Sequence, residues 1–360
     1  MHIPDGYLSP TTCAAFYAGS APFWYVALER VRRTFSSRVV PLLSLVAAFS
    51  FVIMMFNIPL PGGTTGHATG VAIAAIVLGP WASILAISVA LLIQAIFFGD
   101  GGITAFGANS FNMAVVGSLA ASAVYRILSG RAPLESPRRI VAAAAAGYVA
   151  INLAAMCAAI EFGIQPAFFH DAAGAPLYAP YPLAIAVPAM MIGHLTFAGL
   201  AELVLTGSLV AYLQRHDIAL LRASAPGARA FGETDSQAFP AWNALRPLWI
   251  GLAVLLLATP VGLLAAGTAW GEWGAEDFQK PEMRREMAAA SRQAVPPETP
   301  PAGLSRLAAI WTAPLPDYAP PFLKSARLGY LLSAMFGTGL VITTCLGFGR
   351  ALGRPSAVGK

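Results

Sequence analysis

Apolar residues fall in long runs separated by polar stretches. The runs cover roughly residues 11–28, 39–56, 68–98, 107–128, 140–160, 183–213, 248–268 and 327–348. Most are close to the length a helix needs to cross a bilayer, about 20 residues. The run 68–98 is too long for one simple crossing and contains Gly79-Pro80. A proline clashes with the preceding helical turn, and its predecessor avoids the α region. This run is either one kinked span or two short passes with a turn at that dipeptide.

The basic residues decide between the two. Arg30, Arg32, Arg33 and Arg38 follow the first run, and Arg126, Arg131, Arg138 and Arg139 follow the run 107–128. Arg215, Arg222, Arg229 and Arg246 sit between the sixth and seventh runs, and Arg350, Arg354 and Lys360 close the chain. By contrast, 1–10, 57–67, 99–106 and 161–182 contain no Lys or Arg. Cationic residues stay on the cytoplasmic side, and only the two-pass reading puts every basic loop there. The expected fold is therefore all-α and integral to the membrane, with nine helices, the N-terminus outside and the C-terminus inside. The polar stretch 214–244 divides it. Residues 1–220 form a seven-helix bundle, 221–244 a cytoplasmic linker, and 245–360 a two-helix hairpin with a large extracytoplasmic loop at 269–325. Within that loop, VPPETPPA (295–302) reads as an extended spacer.

Composition agrees. The chain is 57% hydrophobic and only 11% charged, where a soluble domain carries about a quarter charged residues. The net charge of +5 does not point to nucleic acid, because the arginines gather in short loops instead of forming a stripe. Cys13, Cys157 and Cys345 are far apart inside apolar runs and read as small buried hydrophobes, with neither a disulfide framework nor a CxxC site. Residues 1–10, MHIPDGYLSP, lack the basic and apolar regions of a secretory signal, so Met1 and His2 are expected to be retained.

Four polar elements are expected on the outer face: the N-terminus, the loop around His67, the stretch FGDGGITAFGANSFNM (98–113), and the loop with His170-Asp171. An uncapped Met1-His2 offers an α-amine and an imidazole, with ordinary pKa values of about 7.7–8.0 and 6.5. The intervening amide nitrogen joins them if the metal is acidic enough to displace its proton. Amine, amide and imidazole then form fused chelate rings in one plane, and a fourth nitrogen completes a square-planar set suited to Ni(II) or Cu(II). His67, in a Gly-rich loop, is the candidate for that position. The plainer reading makes His2 an ordinary terminal residue and His67 a loop histidine that binds nothing. Asp100, Thr104, Asn109 and Asn112 either cap turns or orient the imidazoles and the N-terminus from behind. His194 and Glu202 read as a hydrogen-bonded interior pair or part of a pathway, and Glu161 with His170-Asp171 as a solvated loop or an outer collecting site. The small-residue face Ala142–Gly147 permits close helix contact, within the chain or with a partner.

No GxxxxGK[ST], HExxH or GxSxG is present, so a transporter subunit is expected and not an enzyme, with energy supplied by another chain. Rival readings are a membrane metalloenzyme or haem protein using His170 and His194, and a carrier working alone.

MHIPDGYLSP, GTTGHATG (63–70) and FGDGGITAFGANSFNMAVVG (98–117) resemble the signature stretches of the substrate-specific component of energy-coupling-factor nickel/cobalt transporters, the CbiM/NikM family. The match spans about residues 1–220. AWGEWGAEDF (269–278), PLPDYAPPF (314–322) and GYLLSAMFG (329–337) are similar to the two-helix small component of those systems, here fused. The resemblance implies a seven-helix metal-binding part and ligation of the ion by the Met1 amine, the His2 amide and imidazole, and the His67 imidazole. It also implies a transmembrane coupling subunit and cytoplasmic ATPases as partners, in the cell (inner) membrane, with no prosthetic group beyond the transported Ni(II) or Co(II). No residue by itself separates the two metals; the fused arrangement and planar site incline the reading to nickel.

Overall fold

The computed structural model describes residues 1–34, 39–60, 63–224, 245–265 and 267–352. Each apolar run contains a helix. The N-terminal part contains α1 (Pro10–Thr34), α2 (Val39–Met54), α3 (Val71–Leu78), α4 (Pro80–Ile93), α5 (Phe106–Asn109) and α6 (Ser118–Ser129). It continues with α7 (Pro137–Phe168), α8 (Leu183–Gly193) and α9 (Gly199–His216). The C-terminal part holds α10 (Arg246–Ala258), the short helices α11 (Pro281–Ala290) and α12 (Ala302–Ala308), and α13 (Ala326–Leu352). Among the described residues, six helices are long and apolar enough to cross a membrane on their own: 80–98, 106–129, 137–168, 183–216, 246–264 and 326–350. The protein is thus an all-α, multi-pass membrane protein. The residues 225–244 of the expected linker, and Arg38, Arg354 and Lys360, lie outside the described residues.

The break expected in 68–98 falls at Gly79, whose φ of 79° and ψ of 163° no helix adopts. Its first arm, however, is only the eight residues of α3, about 12 Å of helix at 1.5 Å per residue, and every one of them is buried. This is half a crossing where the first of two short passes was expected. The chain nevertheless goes in and comes back, because His67 before α3 and Asp100 after α4 both approach His2. Near the Gly79 tip, the guanidinium of Arg30 lies 4.7 Å over the ring of Trp81. Buried Arg139 donates to the carbonyls of Ala132, Pro133 and Ser224 and to the Tyr125 hydroxyl, tying the ends of α6, α7 and α9 together. The described arginines of these loops gather at the end opposite the histidines.

Other departures have local causes. The run 140–160 extends to Pro137–Phe168: Ser136 caps its start by accepting from the Arg138 amide, Pro137 suits the first turn, and Pro166 falls in the last turn, near the helix end. Three helices continue through π turns, at Gln94–Phe98, Ser110–Gly117 and His194–Ala198. A small antiparallel hairpin, β1 (Ile58–Leu60) with β2 (Thr64–Gly66), escapes a helix-period reading and leads straight into His67. The Ala142–Gly147 face packs internally on α9, where a Cβ on Gly147 would stand 2.7 Å from the Thr206 hydroxyl. A cavity of ≈ 450 Å³ between α2, α3, α9 and α10 is lined by Leu, Val, Ile, Phe, Tyr, Pro and Gly only and offers a cation neither carboxylate nor imidazole.

Candidate metal site

Residues 1–9 do not trail into solvent; they plug the polar end of the bundle. Met1, His2, Ile3, Tyr7 and Leu8 are all buried. An extended segment in that position needs partners for its backbone. Ile3 has them: its amide donates to Asn109 Oδ1 at 2.8 Å, and its carbonyl accepts from Asn109 Nδ2 at 3.0 Å and the Gly102 amide at 2.8 Å. Asp5 accepts from the amides of Ile103 and Thr104 at 3.1 and 2.7 Å and from the Thr104 hydroxyl. Gly102 permits this approach, since any Cβ there would overlap Asp5. The Ser9 amide reaches Gln165 Oε1 at 3.0 Å.

This plug brings the two histidines together. The rings of His2 and His67 stack with centroids 5.1 Å apart and an interplanar angle of 28°. His67 Nδ1 lies 3.1 Å from the carbonyl of its neighbour Ala68, which sets that nitrogen as the donor and leaves Nε2 as the lone-pair side. His2 Nδ1 sits 2.8 Å from Asp100 Oδ1, close enough for an ion pair though off the hydrogen-bond line. His2 Nε2 is buried with no hydrogen-bond partner among the described residues.

Sequence reasoning missed two more groups, both from the C-terminal part. The Met1 ammonium lies 3.2 Å from Glu272 Oε1. Tyr318 donates to Asp100 Oδ2 at 2.6 Å while Gln94 donates to the same oxygen at 3.2 Å and to the Tyr318 oxygen at 3.0 Å. Tyr318 also stacks on Phe98 with centroids 4.6 Å apart. The segment between α10 and α13 is therefore strapped across the plug. Tyr7 donates to the Trp273 carbonyl, the amides of Gly303 and Leu304 bond the Leu177 carbonyl, and the Leu315 amide bonds that of Phe97. A cavity of ≈ 160 Å³ remains between strap and plug, bordered by Asp5, Gly101, Glu272 and Trp273.

The electrostatics favour a neutral His67 imidazole beside an Asp100 anion. Burial, then His2 and the terminal ammonium, push His67 down to about 3 against the pull of Asp100. Burial works to raise the Asp100 carboxyl, but His2, His67 and the Tyr318 hydroxyl together hold it below its usual range, so it stays an anion. Burial and then Asp100 raise Tyr318 well above 10, keeping it a donor.

The remaining candidates are engaged by other groups. Asn112 turns from the imidazoles and donates to Glu161 Oε2 at 3.0 Å, inside the bundle on α7. Glu161 is therefore no part of an outer site with His170-Asp171, whose loop is closed by Asp171 accepting from Ala173 and Ala175. His194 and Glu202 are each bonded to other groups: His194 Nδ1 lies 2.8 Å from the Met190 carbonyl, and Glu202 accepts from Thr69 and Gly70. Among the described residues no three His, Cys, Asp or Glu side chains cluster as a metal cage.

Relatives place this architecture. Residues 246–354 match the PDGLE domain. The chain is 57% identical over 95% of its length, and 95% of the relative's, to the fused nickel transport protein NikMN of Rhodobacter capsulatus. It is 43% identical to the probable fused nickel transport protein LarMN of Lactiplantibacillus plantarum, over 78% of this chain and 80% of that one. A crystal structure of a truncated transition metal transporter, 50% identical, superposes with a TM-score of 0.56 over 60% of this chain and 99% of that one. Residues 2–220 match the family described as the cobalt uptake substrate-specific transmembrane region, and the chain belongs to this CbiM family.

Proposed function

We propose that the protein is the substrate-specific component of an ATP-driven uptake transporter for a divalent transition metal, nickel in preference to cobalt. It captures the ion at its extracytoplasmic end. The amine of Met1, the amide and imidazole of His2 and the imidazole of His67 supply four nitrogens. One observation carries this reading: a buried imidazole neither of whose ring nitrogens makes a hydrogen bond among the described residues, stacked on a second buried imidazole and joined through two residues to an α-amine. Buried polar atoms without partners are rare and call for a ligand.

The carboxylates of Glu272 and Asp100 hold the amine and His2 Nδ1 in this structure. A chelate through the His2 amide and imidazole uses Nδ1, so an incoming ion takes both nitrogens over from these anions. Their negative charge attracts the dication and offsets its burial. A planar nitrogen set suits Ni(II), and the relatives named for nickel agree with that preference.

The bundle carries no phosphate-binding loop. Energy comes from cytoplasmic ATPases through a transmembrane coupling subunit. The arginine-rich end faces the cytoplasm. Metal content and competition binding of wild type beside His2→Ala and His67→Ala test the proposal. Wild type holds one Ni(II) per chain and both variants lose it; a variant that binds like wild type contradicts the assignment.

A further inference from the structure

Glu202 lies on α9, among apolar helices and wholly shielded from solvent. A carboxylate at such a place is costly unless donors surround it. All its donors come from one short stretch. The amides of Thr69 and Gly70 reach Oε2 at 2.6 and 3.1 Å, and the Thr69 hydroxyl reaches it at 3.3 Å. These groups open α3, whose N-cap is Gly70 at φ 69° and which has no capping side chain of its own. Glu202 thus supplies from another helix the acceptor that a helix N-terminus requires. His67 stands two residues before Thr69, with its ring nitrogen on the carbonyl of Ala68 between them.

We propose that Glu202 is a positioning residue for the metal site. It pins Thr69-Gly70 to α9 and so holds the His67 imidazole over His2. This rests on the reading of His67 as a ligand. On the other side of His67 the hairpin β1–β2 fixes the chain, and its Leu60 side chain meets the position of Gly193 at the end of α8. Both anchors of the His67 loop are therefore on the α8–α9 segment, and a displacement of that segment carries His67 away from the N-terminal nitrogens. Movement of a membrane helix is in this way connected to the ligand set.

Competition binding of Ni(II) and the visible spectrum of the bound ion, on the full chain in detergent, test the proposal. Glu202→Gln keeps an oxygen where the three donors need it and stays within about threefold of wild type. Glu202→Asp, one methylene too short, and Glu202→Ala lose about tenfold or more, the usual effect of removing a group that orients a ligand, with a shifted visible band. In a His67→Ala background, where the remaining three nitrogens are probed with Cu(II), Glu202→Ala has no additional effect. Where Glu202→Ala does not fold, Glu202→Asp is compared in its place. The proposal is overturned if Gln is as weak as Ala, which makes the effect one of charge at the α3 terminus. It is equally overturned if Ala binds normally, or if its effect persists without His67. Retained Ni(II) binding by His67→Ala alone instead refutes the ligand reading.

Discussion

The segments Pro80–Phe98 and Arg246–Leu264 are both 19 residues long, with mean hydropathies of 2.2 and 2.1. Over its apolar window the first is 72% buried, the second 17%. Equal hydropathy says that both cross; it does not say what they face. The first segment carries small polar contacts that only a protein neighbour satisfies. Ser83 pairs with Ser118 at 2.8 Å, Ser88 accepts from the Trp24 indole at 3.0 Å, and Gln94 reaches Asp100. The second leaves Ile250, Val254, Leu257 and Val261 exposed, a surface suited to lipid. The C-terminal part is consequently attached through α13 and the outer strap, with α10 on the periphery.

The sharpest way to break this contrast is to put the same side chain on each C-terminal helix. A Cβ on Gly337 of α13 would collide with the buried Phe51 ring of α2, whereas nothing lies within 4 Å of one on Gly251 of α10. Gly337→Val is expected to destabilise by about 3 kcal/mol, the upper end for overpacking, and Gly251→Val by a few tenths. Thermal unfolding in detergent compares them.

The next effect concerns the price of burial at the plug. His67 is held at about 3 in the fold, against 6.5 in an unfolded chain. The unfolded state therefore takes up a proton first. Stability is unaffected by this group above pH 6.5 and falls as pH drops from there towards 3, by up to about 1.4 kcal/mol per pH unit. His67→Gln should lessen the acid slope of unfolding curves measured without metal by that amount. Tyr318→Phe comes third. It keeps the ring on Phe98 but deletes the hydroxyl that bonds Asp100, and about a tenfold loss of Ni(II) affinity is expected in competition binding. The C-terminal part would then tune a site to which it gives no ligand. Smallest is Trp311→Phe, which removes the exposed indole bond to the Ile96 carbonyl. A loss of about 0.5–1 kcal/mol in unfolding free energy is expected.

Much of this architecture was legible because lipid imposes long apolar runs and a charge bias on the sequence itself. The Gly79-Pro80 break was readable for a covalent reason, the proline ring. The shortness of α3 was not, because its flanking residues 68–70 are as small and uncharged as a helix end and only Glu202, far along the chain, marks where the helix begins. Met1, His2, His67 and Asp100 stood out as polar residues in an apolar chain. Glu272 and Tyr318 did not: each lies in a long outer stretch rich in charge, Pro and aromatics, and their partners Met1 and Asp100 are more than 200 positions away. Asn112 misled because it shares a polar stretch with Asn109, yet the π turn at Ser110–Gly117 lies between helices α5 and α6 and Asn112 bonds inward to Glu161.

The central claim concerns the terminal amine, which an extra residue relocates without touching any side chain. Ni(II) titration of the purified chain beginning at Met1, beside one carrying a single glycine ahead of Met1, addresses it directly. One ion per chain is expected for the chain beginning at Met1, with binding weakened beyond about a hundredfold in the extended protein. Equal affinity in the two would contradict a site built on that nitrogen.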